Sequence, residues 1–177
     1  MALDLQHAWA VGEVATASNF NAYLGPPPDL IDIDTLPTAI SQVNWNTMFV
    51  DANTVYNGYK KSTGAQNAEI NWDVVLAAGT WTIELTYVTT PDAGIYTVQL
   101  SADGSSFTSV GSAPYNASGS TIDAYTGGTG YNTRLTLASI TIATTGRYRL
   151  KLLMATKNAS STNYFAYLQH VQLRRTA

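Results

Sequence analysis

The sequence predicts an all-β fold, an antiparallel β-sandwich or jelly roll, on three observations. The first is a period of two in residues 80–88, where Trp81, Ile83, Leu85 and Tyr87 alternate with Thr82, Glu84 and Thr86. The second is turn chemistry at intervals of roughly 8–15 residues, the rhythm of short strands in a sandwich. The third is composition: of 177 residues 45% are hydrophobic and 12% charged, and polarity comes from Thr, Ser, Asn, Gln and 11 Tyr. An average domain carries about 25% charged residues. Branched and aromatic side chains suit a pleated surface instead. Connections too short for crossovers make the pairing antiparallel.

Residues 1–41 read as an anchor segment. Trp9-Ala10-Val11-Gly12-Glu13-Val14 is a short extended piece with a glycine break. Thr16, Ser18 and Asn19 offer N-cap side chains ahead of Phe20-Asn21-Ala22-Tyr23-Leu24, one short helix that Gly25 and Pro26 stop. A helix so short must dock to be stable. Trp9, Val11, Phe20, Tyr23 and Leu24 are therefore the candidate anchoring residues. Pro26, Pro27 and Pro28 form a stiff spacer. Residues 30–34 alternate apolar and acidic side chains, as a half-buried edge strand does, and Pro37 ends it.

Residues 42–177 carry the sandwich. An aromatic stretch over 45–59 is broken at Asp51-Ala52-Asn53 and Asn57-Gly58. Strands follow over 70–76, 80–88 and 95–100, with Pro91-Asp92-Ala93-Gly94 and Asp103-Gly104 as turns. Residues 101–121, rich in Ser and Gly, read as a long exposed loop. A short strand over 121–125 precedes the flexible run Thr126-Gly127-Gly128-Thr129-Gly130. Leu135, Leu137, Ile140 and Ile142 mark a strand whose phase slips at Ala138-Ser139, a bulge. In residues 147–155, Tyr148, Leu150, Leu152 and Met154 face inward, leaving Arg147, Arg149 and Lys151 for solvent or a partner. The last strand spans 164–175.

Several function classes are excluded. The chain has no cysteine, which removes disulfides and thiolate chemistry. No run reaches the roughly 18 apolar residues of a membrane helix, so no membrane partner is expected, and no secretory signal opens the chain. Asp4, Glu13, Asp29, Asp32 and Asp34 make the first 40 residues acidic, whereas the last 44 carry Arg134, Arg147, Arg149, Lys151, Lys157, Arg174 and Arg175 and no acid. These bases alternate with apolar residues and lack the dense stripe of a nucleic-acid binder. Contact between the acidic end of one copy and the basic end of another is the expected use.

No enzyme is expected. His7 and His170 are the only histidines, and no serine sits in a nucleophile elbow. Asp73, Glu84, Asp92, Asp103 and Asp123 are acids mostly at turns, where backbone capping explains them. No cofactor is expected; a structural calcium would use Asp92 and Asp123 with loop carbonyls, though no EF-hand spacing is present. Sugar contact is the stronger candidate. Tyr115, Tyr125 and Tyr131 lie in or beside the Gly/Ser loops, next to Asn116, Asp123 and Asn132. The competing explanation, tyrosines capping the core with hydroxyls outward, accounts for Tyr87, Tyr96 and Tyr148. It accounts less well for tyrosines on loops. The sequons Asn116-Ala117-Ser118 and Asn158-Ala159-Ser160 are incidental without a secretory signal.

Several stretches together carry a resemblance: Trp72-Asp73-Val74-Val75-Leu76-Ala77-Ala78-Gly79-Thr80-Trp81-Thr82, Gly94-Ile95-Tyr96-Thr97-Val98-Gln99-Leu100, Thr121-Ile122-Asp123-Ala124-Tyr125, Leu153-Met154-Ala155-Thr156-Lys157-Asn158-Ala159-Ser160-Ser161 and the closing Gln169-His170-Val171-Gln172-Leu173-Arg174-Arg175-Thr176-Ala177. In this order, over residues 69–177, the chain resembles minor tail proteins of phages that infect actinobacteria. The segment from Trp9 to Asn21 is similar to the openings of phage tail and fibre proteins that attach to the virion. The resemblance implies a virion component, a symmetric oligomer built on a galactose-binding-like or related jelly roll. Residues 101–120 depart from it by exceeding the family's usual hairpin, and the chain is shorter than many tail adhesins.

The expectation is a non-enzymatic phage virion protein, a minor tail or tail-tip component presenting a jelly roll to host-surface glycans. Its partners are other virion proteins and further copies of itself, a trimer covering exposed strand edges. One alternative is a capsid decoration protein that stabilises the head shell. Another, of a different class, is a carbohydrate-binding module or glycosidase fragment.

Overall fold

The computed structural model describes residues 29–34, 41–49, 51–55, 59–112, 114–115 and 120–177. The expected short helix, the anchoring residues Trp9, Val11, Phe20, Tyr23 and Leu24, and Asn116 lie outside the described residues.

Two sheets form an all-β antiparallel sandwich, and the described residues contain no helix. Sheet A has the order β10 (Gly130–Ile142), β6 (Gly79–Thr89), β12 (Tyr167–Arg175), β4 (Tyr59–Ser62) and β3 (Trp45–Phe49), with β1 (Leu30–Asp34) also pairing β12. Sheet B has the order β2 (Ser41–Val43), β5 (Glu69–Leu76), β11 (Gly146–Lys157), β7 (Gly94–Ser101) and β8 (Thr108–Ser109), with β9 (Thr121–Asp123) on β7.

The period-two pattern decides which face is inside. Trp81, Ile83 and Leu85 of β6 are fully buried, as are Ile70 and Trp72 of β5 and Leu150 and Leu152 of β11. Each such side chain contributes about 1.5–3 kcal/mol relative to an exposed one. The Trp81 indole N–H donates to the Ala77 carbonyl at 2.9 Å, so its polar edge is satisfied inside the core. The slip at Ala138-Ser139 is a bulge, because the β10–β6 register shifts between Leu137 and Ile140.

Two expectations are corrected, and a third gains a detail. Residues 101–121 are not one exposed loop: β8 pairs with β7, and Val110 and Tyr115 are buried against the core. An apolar residue within a Ser/Gly-rich run gives no periodicity, so its inward turn is invisible in sequence. The acidic strand β1 lies against β12 of its own chain, running antiparallel from Leu30 opposite Arg174 to Asp34 opposite His170. Asp29 meets Arg175 at 3.2 Å, and Asp32 accepts from the Gln172 amide at 2.7 Å. Residues 30–34, placed with the anchor by sequence, thus belong to the sandwich. Finally, Arg147 and Arg149 both bind Asp73 on the neighbouring strand, Arg149 at 2.9 Å, and Lys151 pairs with Glu69 at 2.9 Å. These side chains face outward from β11 as expected, Arg147 remaining 74% exposed, and each also has an acid of sheet B as its partner.

Candidate functional site

The register of sheet A gathers a group of aromatic residues on its outer face at one end. Lys60 and Ser62 point into the sandwich and are buried, so Tyr59 and Lys61 point out. Lys61 lies opposite Tyr167, and Leu168 opposite both Lys60 and Tyr87. Tyr167 therefore shares the outer face with Tyr59 and Lys61. The ends of β6 and the start of β10 complete an open groove of about 480 Å³, lined by Tyr59, Lys61, Val88, Thr90, Pro91, Asp92, Thr129, Tyr131 and Tyr167. At its rim Gly130 allows β10 to close on β6, since a Cβ there would lie 2.5 Å from the Thr89 hydroxyl.

The aromatic walls are fixed by contacts beneath them. Tyr59 meets Tyr167 edge-on, with ring centroids 5.5 Å apart, and Phe165 packs 5.9 Å from Tyr167. The Tyr167 hydroxyl donates to the Asp92 carboxylate, 3.0 Å from both oxygens, and Thr90 also hydrogen-bonds Asp92. Backbone bonds tie the Asp92 turn to the approach of β12: Phe165 N–H donates to Asp92 O at 3.2 Å and Gly94 N–H to Phe165 O at 2.8 Å. Burial, followed by the hydrogen bond to Asp92, pushes the Tyr167 hydroxyl well above its ordinary pKa. Tyr59 is raised too, by burial first and then by the charge of Asp51. Both remain neutral hydroxyls at physiological pH, able to donate and accept.

A second clamp holds the neighbouring loop. Asn132 adopts φ 58°, its Oδ1 accepts the Val55 N–H at 2.8 Å, and its Nδ2 donates to Asn53 O at 3.0 Å. The loop it grips is closed by Asp51, whose Oδ1 accepts from Asn53 N–H at 2.9 Å. Tyr131, beside this clamp, is 41% exposed and offers its ring to solvent.

The residues expected from sequence thus separate. Tyr131 lines the groove, and Asn132 braces its margin. Tyr125 is half-buried in a bridge to Thr90. Asp123 is occupied by its own turn, accepting from Tyr125 N–H at 3.1 Å and from the Asn158 amide at 2.7 Å. Tyr115 is 6% exposed and packs on the core; its expected exposed face is absent because the loop folds inward. Asp92 and Asp123, weighed for calcium, each serve separate hydrogen-bond networks, and the described residues contain no cluster of three potential metal-ligating acids or histidines. Sequence reasoning missed Tyr59, Lys61 and Tyr167, which meet only through the β4–β12 register. The sequence offers no local signal for them: the buried neighbours on β4 are the polar Lys60 and Ser62, and Tyr167 begins an unbroken run of buried residues.

No protein-family model matches the chain, and no curated protein sequence matches it. Solved structures do. A Paenibacillus xanthan lyase aligns with a TM-score of 0.63 and 19% identity over 85% of this chain, which spans 13% of that structure's length. The CBM36-1 domain of a multidomain xylanase from the hindgut metagenome of Trinervitermes trinervoides aligns at 0.51 and 12% identity, covering 84% of this chain and 97% of that one. A family 35 carbohydrate binding module from Clostridium thermocellum aligns at 0.51 and 12%, covering 84% and 93%. These likenesses establish the fold: a jelly roll of the kind that carbohydrate-binding modules use.

Proposed function

We propose that this domain is a non-catalytic carbohydrate-binding module and that the groove of Tyr59, Tyr131 and Tyr167 receives the sugar. The observation that carries the reading is the convergence of Tyr59 and the 41% exposed Tyr131 with Lys61 and Thr90 on one open groove of this jelly roll, over a floor made by the buried Tyr167. Ring faces match the apolar faces of a pyranose, while hydroxyls and an ammonium supply directional polar contacts. Asp92 is the single carboxylate among the described residues that line the groove, and it is engaged by Tyr167 and Thr90. Glycoside hydrolysis uses two carboxyl groups across a cleft, so the lining favours binding over turnover. The structural likeness to carbohydrate-binding modules supports the same reading, and favours it over the decoration role.

The setting proposed for the module is a phage virion, where it would hold host-surface glycans; the support for this is the resemblance of residues 69–177 to minor tail proteins. A glycan array probed with the intact chain and with Tyr131→Ala tests the binding reading. Retention of defined glycans that weakens roughly tenfold or more in the variant is expected. An array on which the unaltered chain retains no glycan would refute it.

A further inference from the structure

We infer that the groove takes a sugar bearing an acidic group; this rests on the groove being the sugar site. The charged groups around the groove are unequally engaged. Asp92 accepts the Tyr167 hydroxyl at 3.0 Å on both oxygens and Thr90 as well. Asp51, near Tyr59, accepts both the backbone N–H and the side-chain amide of Asn53 at 2.9 Å. Both carboxylates close turns through neutral donors and keep their charge, so an acidic ligand has to seat its anion on the Lys61 side of the groove, away from them.

Lys61 differs. Its ammonium stands 3.8 Å above the centroid of Phe165 and 4.9 Å from that of Tyr167. Among the described residues it forms none of the ion pairs that engage Lys151, Arg147, Arg149 and Arg175. Gly64 permits this placement of Phe165, since a Cβ there would lie 2.8 Å from its ring. Cation–π contact fixes where the ammonium sits but neutralises none of its charge. The rings shield one side and leave its remaining N–H groups for an oxygen anion delivered by the ligand. A carboxylate, sulfate or phosphate on a pyranose seated against Tyr59 and Tyr131 fits that requirement. Charge-assisted hydrogen bonds are roughly twice as strong as neutral ones, which gives the site a preference and not merely a contact.

The experiment is calorimetric titration of the full chain with a uronic-acid oligosaccharide, a sulfated oligosaccharide and the neutral oligosaccharide of the same linkage, at two salt concentrations. At least one acidic sugar is expected to bind roughly tenfold tighter than the neutral one, the size of one charge-assisted hydrogen bond. The advantage should shrink at high salt. It should persist in Lys61→Arg and disappear in Lys61→Met, with thermal melting confirming that both variants fold. The uronate and sulfate arms identify which acid is recognised. Neutral sugar bound as tightly as both acidic ones, or an acidic preference surviving in Lys61→Met, overturns the inference while leaving the groove as a sugar site. Failure of all three sugars to bind the unaltered chain removes the sugar site and this inference together.

Discussion

Replacing Asn132 separates two things this residue does. It holds a left-handed backbone conformation at φ 58°, and it clamps the loop beside the groove through bonds of 2.8 and 3.0 Å. Each neutral hydrogen bond is worth about 1 kcal/mol net, so losing the clamp costs about 1–2 kcal/mol. A residue with a Cβ but no local hydrogen bond adds about 1–2 kcal/mol in the left-handed region. Asn132→Ala should therefore destabilise by about 2–4 kcal/mol. Asn132→Gly loses the same clamp without the backbone penalty, and the extra freedom of its unfolded chain partly offsets that relief. It should fall about 1 kcal/mol short of the Ala variant. Urea denaturation with unchanged slopes reads both values. Sugar affinity should drop by the same factor in the two variants, because both free the 51–55 loop. Equal stabilities would refute the strain argument, and unchanged affinity would refute the clamp's part in shaping the groove.

Two buried hydroxyls, Tyr96 Oη and Thr86 Oγ1, have no hydrogen-bond partner among the described residues. Tyr96→Phe and Thr86→Val should each leave stability unchanged or raise it by about 1 kcal/mol in the same urea assay; a loss beyond 2 kcal/mol would show a missed partner. Burial raises the hydroxyls of Tyr96, Tyr87 and Tyr115 above the ordinary value of 10.0, as it does that of Tyr167. Their neutral forms stabilise the fold fully below pH 10, and that contribution is lost as pH rises from there toward their folded values. Alkaline titration followed by circular dichroism should show unfolding above pH 10 that becomes shallower in Tyr96→Phe. At the acid end, burial alone would raise the Asp73 carboxyl, but hydrogen bonds from Arg149 and Arg147 outweigh it and hold it below 3.8. Its contribution is present above that value and is lost as pH falls below it, so Asp73→Asn should flatten the acid limb of the stability curve.

Much of the fold was legible because burial imposes a period of two on the chain. Trp81, Ile83 and Leu85 alternate with polar residues and are all buried, as Leu150, Leu152 and Met154 are. Even the bulge in β10 showed as a slip of phase. The site was less legible, since it depends on which strands are neighbours. Tyr59 and Tyr167 are more than 100 residues apart and meet only because β4 pairs with β12. Tyr131 was found because its loop is exposed. Tyr115 was misread for the same local reason, because a Ser- and Gly-rich setting carries no signal that its ring turns inward. The acidic strand illustrates the limit of charge counting: complementary ends were visible, but whether they meet within one chain or between two is a matter of topology.

Amide chemical-shift mapping of the full chain during titration with an acidic oligosaccharide tests the central claim most directly. Perturbations should cluster at Tyr59 and Lys61, at Val88, Thr90 and Asp92, at Thr129 and Tyr131, and at Tyr167, on one end of sheet A. Shifts confined to the opposite sheet, around Asp73, Arg147 and Gly104, would contradict it.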